Sequence, residues 1–465
     1  MEPQEASRME REQPLTVAGS DCAEVTPAEA APVEPLASSS TKIGHGSLYL
    51  AVFIDSLGAF MVMPLLPYLA MSLGASAFDT SLMASVYCFN QVWGTVVLGA
   101  LSDRFGRRVV LLLSLSMCSI VLLFFGLART MWQLILFRGL HGVFASTVSI
   151  CEAMVADSAK PEERAGAMAT VMAAFGVGIV FGPGIGGLLS PLGFTWVCTI
   201  ASAVTFLNFV WAFCQTRGVR PSAQAPNHSN VAAEVDSAGN TTRSRCCCGS
   251  ICQTVLLIGR APSLLMWYIM AFLQTASMGS FVGVAAYFML DEYDIQAREN
   301  GLIFSLAGVT MVLCQSIVTK IAVRHLGETG SIFVGSVIRA AGICLLILIP
   351  RAQWVPCVAT VVLVCSGSLI DPSMAAQVAS SAGEDTRGAA LGIYQALRSL
   401  GETLGPLLAG SMYAHSHHAP ILLSVGLSAS CALILALASL PFCKARAPSQ
   451  ARDTLLSNGR GSGAV

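Results

Sequence analysis

The sequence predicts an all-α integral membrane protein that crosses the bilayer with twelve helices. Of its 465 residues, 54% are hydrophobic and only 11% are charged, whereas a soluble domain carries about 25% charged residues. Apolar runs such as 109–128, 196–215 and 421–440 are long enough to cross about 30 Å of hydrocarbon as helices. Membrane barrels are built from short strands of alternating polarity, so these continuous runs argue against a barrel.

Runs of this kind place the twelve spans along the chain. The predicted spans lie at 47–72, 81–101, 109–128, 132–156, 165–189, 195–216, 263–289, 300–322, 331–350, 354–378, 387–412 and 419–441. A polar stretch rich in Pro, Ser, Asn and Arg separates the sixth span from the seventh. The predicted domains are a disordered tail, an N-terminal six-helix half, a central loop, a C-terminal six-helix half and a second disordered tail, at 1–46, 47–216, 217–262, 263–441 and 442–465.

The distribution of Lys and Arg predicts which side of the membrane each loop faces. If both termini are cytoplasmic, the tails and loops on that side hold twenty of the 26 Lys and Arg residues, and the opposite loops hold three. Cytoplasmic loops carry an excess of these residues, so we expect both termini and the central loop to be cytoplasmic. The glycosylation sequons at Asn227 and Asn240 lie in that loop and are expected to be unmodified.

The two halves are related by an internal repeat with an offset of 223 residues. The matching pairs are Gly178 with Gly401, Gly182 with Gly405, Pro183 with Pro406, and Gly187 with Gly410. Two related six-helix halves are typical of transporters that bind their solute near the middle of the membrane, between the halves.

The loop between the second and third spans carries a charged, glycine-containing motif. Its residues form a candidate conformational latch: Gly99, Asp103, Arg104, Gly106, Arg107 and Arg108. The glycines allow close helix approach and a tight turn, and Asp103 can pair with an arginine or with a helix terminus. The equivalent loop of the second half, 320–327, keeps only charge and one glycine, so a symmetric second latch is not expected.

The fifth span carries a dense glycine motif. Its residues are Gly178, Gly182, Pro183, Gly186 and Gly187. Small residues let helices pack closely, and a proline inside a helix bends it. The alternative to a functional motif is a generic glycine-rich packing helix.

These patterns resemble those of the major facilitator superfamily. Residues 99–108 match its loop signature G-x-L-[AS]-D-R-x-G-R-[RK], and 178–187 match the antiporter signature G-x3-G-P-x2-G-G. Arg138 and His141 match the fourth-helix motif R-x-x-Q-G, with His141 where Gln is usual. The resemblance implies the major facilitator fold, with twelve helices in two pseudo-symmetric six-helix halves, and it implies proton coupling for Arg138.

The first span narrows the resemblance further. The spacing of Asp55, Gly58, Pro64 and Pro67 is similar to that in tetracycline/proton antiporters. The chain therefore resembles the twelve-span drug/proton antiporter branch, which includes tetracycline-transporter-like and organic-cation-transporter-like members.

Ionisable residues inside the spans are the candidates for proton coupling or substrate binding. They are Asp55, Arg138, His141, Glu152, Asp371, Arg398 and Glu402. Such residues are costly in lipid and should face a cavity or a partner. Asp55 and Glu152 have no local partner and are the preferred candidates for binding a proton or a cation.

The other candidates keep structural alternatives. Arg398 and Glu402 are four residues apart and can form a salt bridge, and Asp371 precedes a proline and could cap a kinked helix. Arg138 could pair with a backbone carbonyl or a carboxylate, and His141 could be a hydrogen-bonded packing residue. Arg138 and Glu152, fourteen residues apart, are expected on one face of the fourth helix.

The sequence therefore predicts a secondary transporter that exports organic cations or amphipathic drugs in exchange for protons by alternating access. A uniporter or symporter of the same fold, or a non-transporting sensor, are the alternatives. The expected partners are the small organic solute, protons and the lipid bilayer, and the chain is expected to be a monomer. No phosphate loop, nucleophile elbow or metal-ligand set is present, so neither an enzyme nor a cofactor is expected.

Two further expectations concern charge and cysteine. The net charge of −1 gives no basic field suited to nucleic acid. Four cysteines just before the seventh span suit reversible palmitoylation, with unmodified thiols as the alternative. They are Cys246, Cys247, Cys248 and Cys252. The sequence does not choose between the plasma membrane and an organelle membrane.

Overall fold

The computed structural model describes residues 45–160, 163–216, 262–349, 352, 354–382 and 386–439. They form helices joined by short loops, and no strand occurs among them. The two tails, nearly all of the central loop, both sequons and the four clustered cysteines lie outside the described residues, so what the sequence predicts for them remains a prediction.

Twelve helices span the described chain, as the sequence predicts. Ten stretches are long and apolar enough to cross a membrane. One of these, Ala297–Leu348, has 52 residues and turns at Gly327 (φ 71°), so it forms two spans. The 27-residue helix Arg387–Tyr413 is more polar because it carries Arg398 and Glu402, and it completes the set.

We number the helices in chain order. They are α1 His45–Ser72, α2 Ala77–Phe105, α3 Arg107–Leu127, α4 Met131–Ser158, α5 Arg164–Leu189, α6 Phe194–Gln215, α7 Pro262–Tyr293, α8 297–326, α9 328–348, α10 Val355–Ser381, α11 Arg387–Tyr413 and α12 Ala419–Ser439.

The short connections are fixed by a helix cap and by glycines. α2 begins at a capping box, in which the Ser76 hydroxyl accepts from the Asp79 amide and the Asp79 carboxylate accepts from the Ser76 amide. Gly106 (φ 94°) turns the chain from α2 to α3, and Gly327 turns it from α8 to α9. A positive φ strains most other L-residues, so the equivalent turns of the two halves both use glycine.

Glycines on two faces of α5 let it pack closely against α1 and α8. A Cβ added to Gly178, Gly182 or Gly186 would overlap atoms of α1. On the other face, a Cβ added to Gly187 would lie 3.0 Å from the Cα of Gly301 in α8. Because α8 belongs to the C-terminal half, α5 lies at the contact between the halves.

The same arrangement recurs around α11. Gly401 and Gly405 pack against α7, and Gly410 packs against α2. These are the residues that the sequence repeat aligns with the glycines of α5. The repeat in sequence is therefore also a repeat of contacts, in which α5 between α1 and α8 corresponds to α11 between α7 and α2.

The two halves are joined at one end of the molecule, here called the closed end, which comprises residues 64–81 and 283–305. The Tyr287 hydroxyl donates to the Ala75 carbonyl oxygen at 2.8 Å and lies 3.0 Å from the Thr80 hydroxyl oxygen. Further side-chain hydrogen bonds between the halves run from Ser81 to Gly283, from Tyr68 to Ile295 and from Asn300 to Pro64.

The opposite end, here called the open end, carries the 99–108 loop. Among the described residues, no side-chain hydrogen bond joins the two halves there. A Cβ added to Gly166 of α5, or to Gly388 or Gly392 of α11, would meet no atom within 4 Å. The halves thus diverge from the closed end, and the space between them opens at the other end.

Helix α4 is interrupted in the middle. Its first segment ends at Phe144 and its second begins at Thr147. The break frees the Phe144 carbonyl oxygen, which accepts a hydrogen bond from the Ser114 hydroxyl of α3. The expectation that Arg138 and Glu152 share one helix face assumed an unbroken helix. Because the break lies between the two residues, helix periodicity no longer supports that expectation, which stays a prediction.

Candidate functional site

Asp55 lies within α1 and faces the break in α4. Its side chain is partly buried, and the Thr147 hydroxyl is close enough to interact with its carboxylate. In the part of the chain that the structure describes, no cationic side chain forms an ion pair with Asp55. Thr147 begins the second segment of α4, and the positive end of a helix dipole favours a nearby carboxylate. The carboxylate thus lies near a hydroxyl at a helix N-terminus and has no described cation paired with it, so it can bind a proton or a cation.

Arg138 and His141 both contact one aromatic ring, that of Tyr87. The Arg138 guanidinium is 3.9 Å from the centre of the Tyr87 ring, and the His141 ring stacks on Tyr87 with centroids 5.8 Å apart. Both side chains are buried, and Nδ1 of His141 has no hydrogen-bond partner among the described residues. Arg138 thus binds to a π face instead of a carboxylate, which is neither of the two pairings considered for it.

Glu152 lies on the second segment of α4, one turn after the break. Its side chain is partly buried and forms no ion pair with a described residue. The Cys151 thiol is within electrostatic range of both Glu152 and Asp55. The two acids that lack a partner in sequence therefore occupy the same region of the N-terminal half.

In the C-terminal half, Arg398 is placed between two carboxylates. Its Nη2 lies 3.6 Å from Glu402 Oε1, as the four-residue spacing predicts, and 3.8 Å from Asp371 Oδ2 of α10. The carboxylates are about half exposed, with 44% of the Glu402 and 48% of the Asp371 side-chain surface accessible. Asp371 is a partner of Arg398. The alternative in which Asp371 only caps a kinked helix did not include this ion pair.

Arg339 of α9 is a buried charge that sequence reasoning did not select. Its Nη1 donates to the backbone and side-chain oxygens of Gln274 at 3.0 and 3.1 Å, and its Nε donates to the Ser366 hydroxyl at 3.2 Å. It forms no ion pair with a described residue. Its position inside a predicted span could have identified it, because an arginine inside a span is a functional candidate by default.

Two side chains of α2, Tyr87 and Cys88, lie between the ionisable residues of the two halves. Tyr87 is within electrostatic range of both Arg138 and Asp55, and Cys88 is within range of Arg138 and of Glu402 in the other half. The structure therefore brings the N-terminal candidates together and places Glu402 across from them. Asp371 and Arg398 lie with Glu402 in the C-terminal half.

The 99–108 loop forms a charge network on the N-terminal half alone. Arg107 pairs with Asp103 at 2.9 Å and with Asp157 at the end of α4 at 3.3 Å. Arg108 donates to the Thr216 hydroxyl at 2.9 Å, and Arg104 lies over the adjacent Phe105 ring. A Cβ added to Gly99 would meet no atom within 4 Å, so close helix approach does not explain this glycine in the present conformation.

Solved transporter structures share this fold. The nucleoside transporter NupG superposes with a TM-score of 0.68 at 13% identity, covering 84% of this chain and all of that chain. The human organic anion transporter MFSD10 superposes with a TM-score of 0.55 at 20% identity, covering 85% of this chain and 99% of that one. At such identities the likeness concerns the fold alone.

The sequence relatives include tetracycline resistance proteins and a human solute carrier. The class C tetracycline resistance protein of Escherichia coli is 29% identical over 372 residues, covering 78% of this chain and 88% of that protein. The class B protein of Escherichia coli is 27% identical, covering 86% and 95%. Human solute carrier family 67 member A1 is 23% identical, covering 80% and 87%. The family model of the Major Facilitator Superfamily matches residues 48–365 and 267–457. The chain belongs to the Major Facilitator Superfamily.

Proposed function

We propose that this chain exports organic cations or amphipathic drugs in exchange for protons. As a member of its superfamily it is a membrane transporter and not an enzyme, so the proposal concerns the solute and the coupling ion. Relatives named for tetracycline resistance support a drug-like solute. The observation that carries the proposal is Asp55, an acid within a span that has no cationic partner among the described residues.

In the proposed cycle, proton and solute compete for Asp55. An ionised carboxylate attracts an organic cation, whereas a protonated one does not, so each releases the other. With both termini in the cytoplasm, the open end faces the cytoplasm, and the present state takes up solute from that side. Rocking of the halves would open the closed end, release the solute outside and admit a proton.

The remaining ionisable residues have supporting roles in this proposal. Glu152 is a second acid near Asp55 that can receive the proton or contact the solute. Arg138, buried against Tyr87, raises the local positive potential and disfavours a second cation while Asp55 is protonated. Arg398 with its two carboxylates offers a charged surface on the opposite half.

A transport assay in liposomes tests the coupling. Purified protein is reconstituted with an interior one pH unit more acidic than the bath, and uptake of organic cations and tetracycline-like drugs is followed. Electroneutral one-for-one exchange supports about tenfold accumulation from one pH unit. We expect the wild type to accumulate solute and Asp55→Asn to equilibrate it without accumulation.

The matched control is Asp294→Asn. Asp294 is an exposed acid in the loop between α7 and α8 with a positive φ of 53°, which asparagine also tolerates. It should accumulate solute as the wild type does. Accumulation that ignores the pH gradient would make the chain a uniporter, and accumulation retained in Asp55→Asn would remove Asp55 from the coupling path.

Organic anions form a second candidate solute class. Arg138 and Arg339 are buried cations that pair with no described carboxylate. MFSD10, which shares this fold, is described as an organic anion transporter. The solute panel therefore includes carboxylate drugs, and their uptake in preference to cations would reverse the assigned solute charge. If no solute in the panel is taken up, the result would favour a non-transporting sensor.

A further inference from the structure

Two cysteines on neighbouring helices of the C-terminal half face each other. Cys314 of α8 and Cys365 of α10 have their Sγ atoms 3.0 Å apart. Among the ten cysteines that the structure describes, these are the two whose sulfur atoms approach each other this closely. Cys118 and Cys431, by comparison, direct their thiols at backbone carbonyl oxygens.

The backbone around Cys314 is unusual in a way that positions the thiol. Residues Cys314–Val318 form a π-helical turn inside α8, and such wide turns occur often at functional sites. The Thr319 hydroxyl that follows the turn donates to the Cys314 carbonyl at 3.1 Å and to the Ser368 carbonyl of α10 at 2.9 Å. The Thr319 hydrogen bond therefore anchors the end of the π turn to α10, five residues after Cys314.

We propose that Cys314 and Cys365 form a reversible disulfide that fixes the π turn of α8 to α10. Closing the sulfur atoms to bonding distance needs a shift of about 1 Å, which side-chain rotation can supply.

The oxidant is a peroxide. Cys365, the more exposed thiol, attacks one peroxide oxygen, giving a sulfenic acid and one water. The Cys314 thiol then attacks that sulfur, and a second water leaves, so two thiols and one hydrogen peroxide give a disulfide and two waters.

The bond would regulate α8 because this helix takes part in the contact between the halves. Gly301 and Gly308 of α8 pack against α5, and the π turn follows on the same helix. A disulfide to α10 removes the local freedom of that turn, so opening of α8 at residues 309–320 becomes rarer. Reduction by a thiol such as dithiothreitol restores it.

Peptide mapping of the purified full-length protein tests the bond directly. Trypsin cuts after Arg298, Lys320, Arg351 and Arg387, which puts Cys314 alone in peptide 299–320 and Cys365 in peptide 352–387 with Cys357. After treatment with hydrogen peroxide and blocking of free thiols, we expect these two peptides joined by a reducible link. The link should persist in Cys357→Ala, which lies on the same helix, and be lost in Cys314→Ala and Cys365→Ala.

Hydrogen exchange gives a second readout that needs no transported solute. Peroxide should slow amide exchange in residues 309–320 of the wild type and of Cys357→Ala, and dithiothreitol should reverse the change. Cys314→Ala should show no change on oxidation. Absence of the joined peptide in oxidised wild type, or its persistence in Cys314→Ala, would overturn the proposal whatever the transport assay shows.

Discussion

Single charged residues in the spans differ in how their charge is balanced. Arg398 shares its guanidinium between Asp371 and Glu402, whereas Arg339 is held only by neutral oxygens of Gln274 and Ser366. A partly buried arginine with two carboxylates keeps one partner if the other is removed. This redundancy predicts a non-additive response to mutation.

A double-mutant cycle measures that redundancy. Asp371→Asn or Glu402→Gln alone should lower the free energy of unfolding by less than about 1 kcal/mol, because the carboxylates are about half exposed. The double variant should lose about 2 kcal/mol, more than the sum, since Arg398 then has no carboxylate partner. Thermal unfolding in detergent is the measurement. Adding Arg398→Met should recover stability, and strictly additive losses would contradict shared pairing.

Residue-level prediction from sequence succeeded where partners are local. Arg398 and Glu402 are four apart on one helix, so their pairing follows from helix geometry. The contacts of Asp371 with Arg398 and of Arg138 with Tyr87 join different helices. Helix packing decides those contacts, and spacing along the chain does not encode it.

At the scale of helices, the glycines of α5 differ in how much space surrounds them. The residues facing α1 have no room for a Cβ, whereas Gly176, on the same helix, has only Val312 nearby, 3.9 Å from an added Cβ. Glycine therefore has opposite energetic consequences at two positions of one helix. Where it permits contact it stabilises the packing, and elsewhere it weakens the helix.

Two alanine substitutions separate these effects. Gly186→Ala would place its Cβ against the backbone of Met61, so α1 and α5 must move apart and the free energy of unfolding should fall by about 1–3 kcal/mol. Gly176→Ala should be neutral or stabilising by up to about 1 kcal/mol. Thermal unfolding of both variants checks this. Equal destabilisation by the two would mean that helix propensity, not close packing, explains the motif.

The sequence predicted the helices better than their interruptions. Length and apolarity gave the spans, and the glycine repeat gave the equivalent contacts of α5 and α11. The break of α4 between Phe144 and Thr147 has no proline or glycine at its centre. It is stabilised by the Ser114 hydroxyl on another helix, so only the packed structure reveals it.

For the whole molecule, the proposed transport cycle requires one sequence to support at least two arrangements of the halves. The present arrangement is joined at the closed end, while the charge network of the 99–108 loop stays within the N-terminal half. A sequence motif contains residues that act in either arrangement of the halves. It therefore predicts a latch but does not specify the arrangement in which the latch forms its contacts. That is why the loop motif was recognised although no contact with the other half is made here.

The balance between arrangements should respond to single hydrogen bonds at the closed end. Tyr287→Phe removes the bond to the Ala75 carbonyl and the contact with Thr80, both across the halves. A hydrogen bond contributes about 0.5–1.5 kcal/mol, so opening of the closed end should become about two- to tenfold more frequent. Hydrogen exchange in residues 64–81 and 283–305 should rise accordingly.

Tyr293→Phe is the matched control for that experiment. The Tyr293 hydroxyl donates to the carbonyl oxygens of Leu346 and Ile349, which belong to the same half. Its loss weakens α7 against α9 without touching the contact between the halves, so exchange in residues 64–81 should stay unchanged. Faster exchange there in both variants would mean that the closed end responds to general loosening of the C-terminal half. Faster exchange in Tyr287→Phe alone would identify Tyr287 as a gate between the two halves.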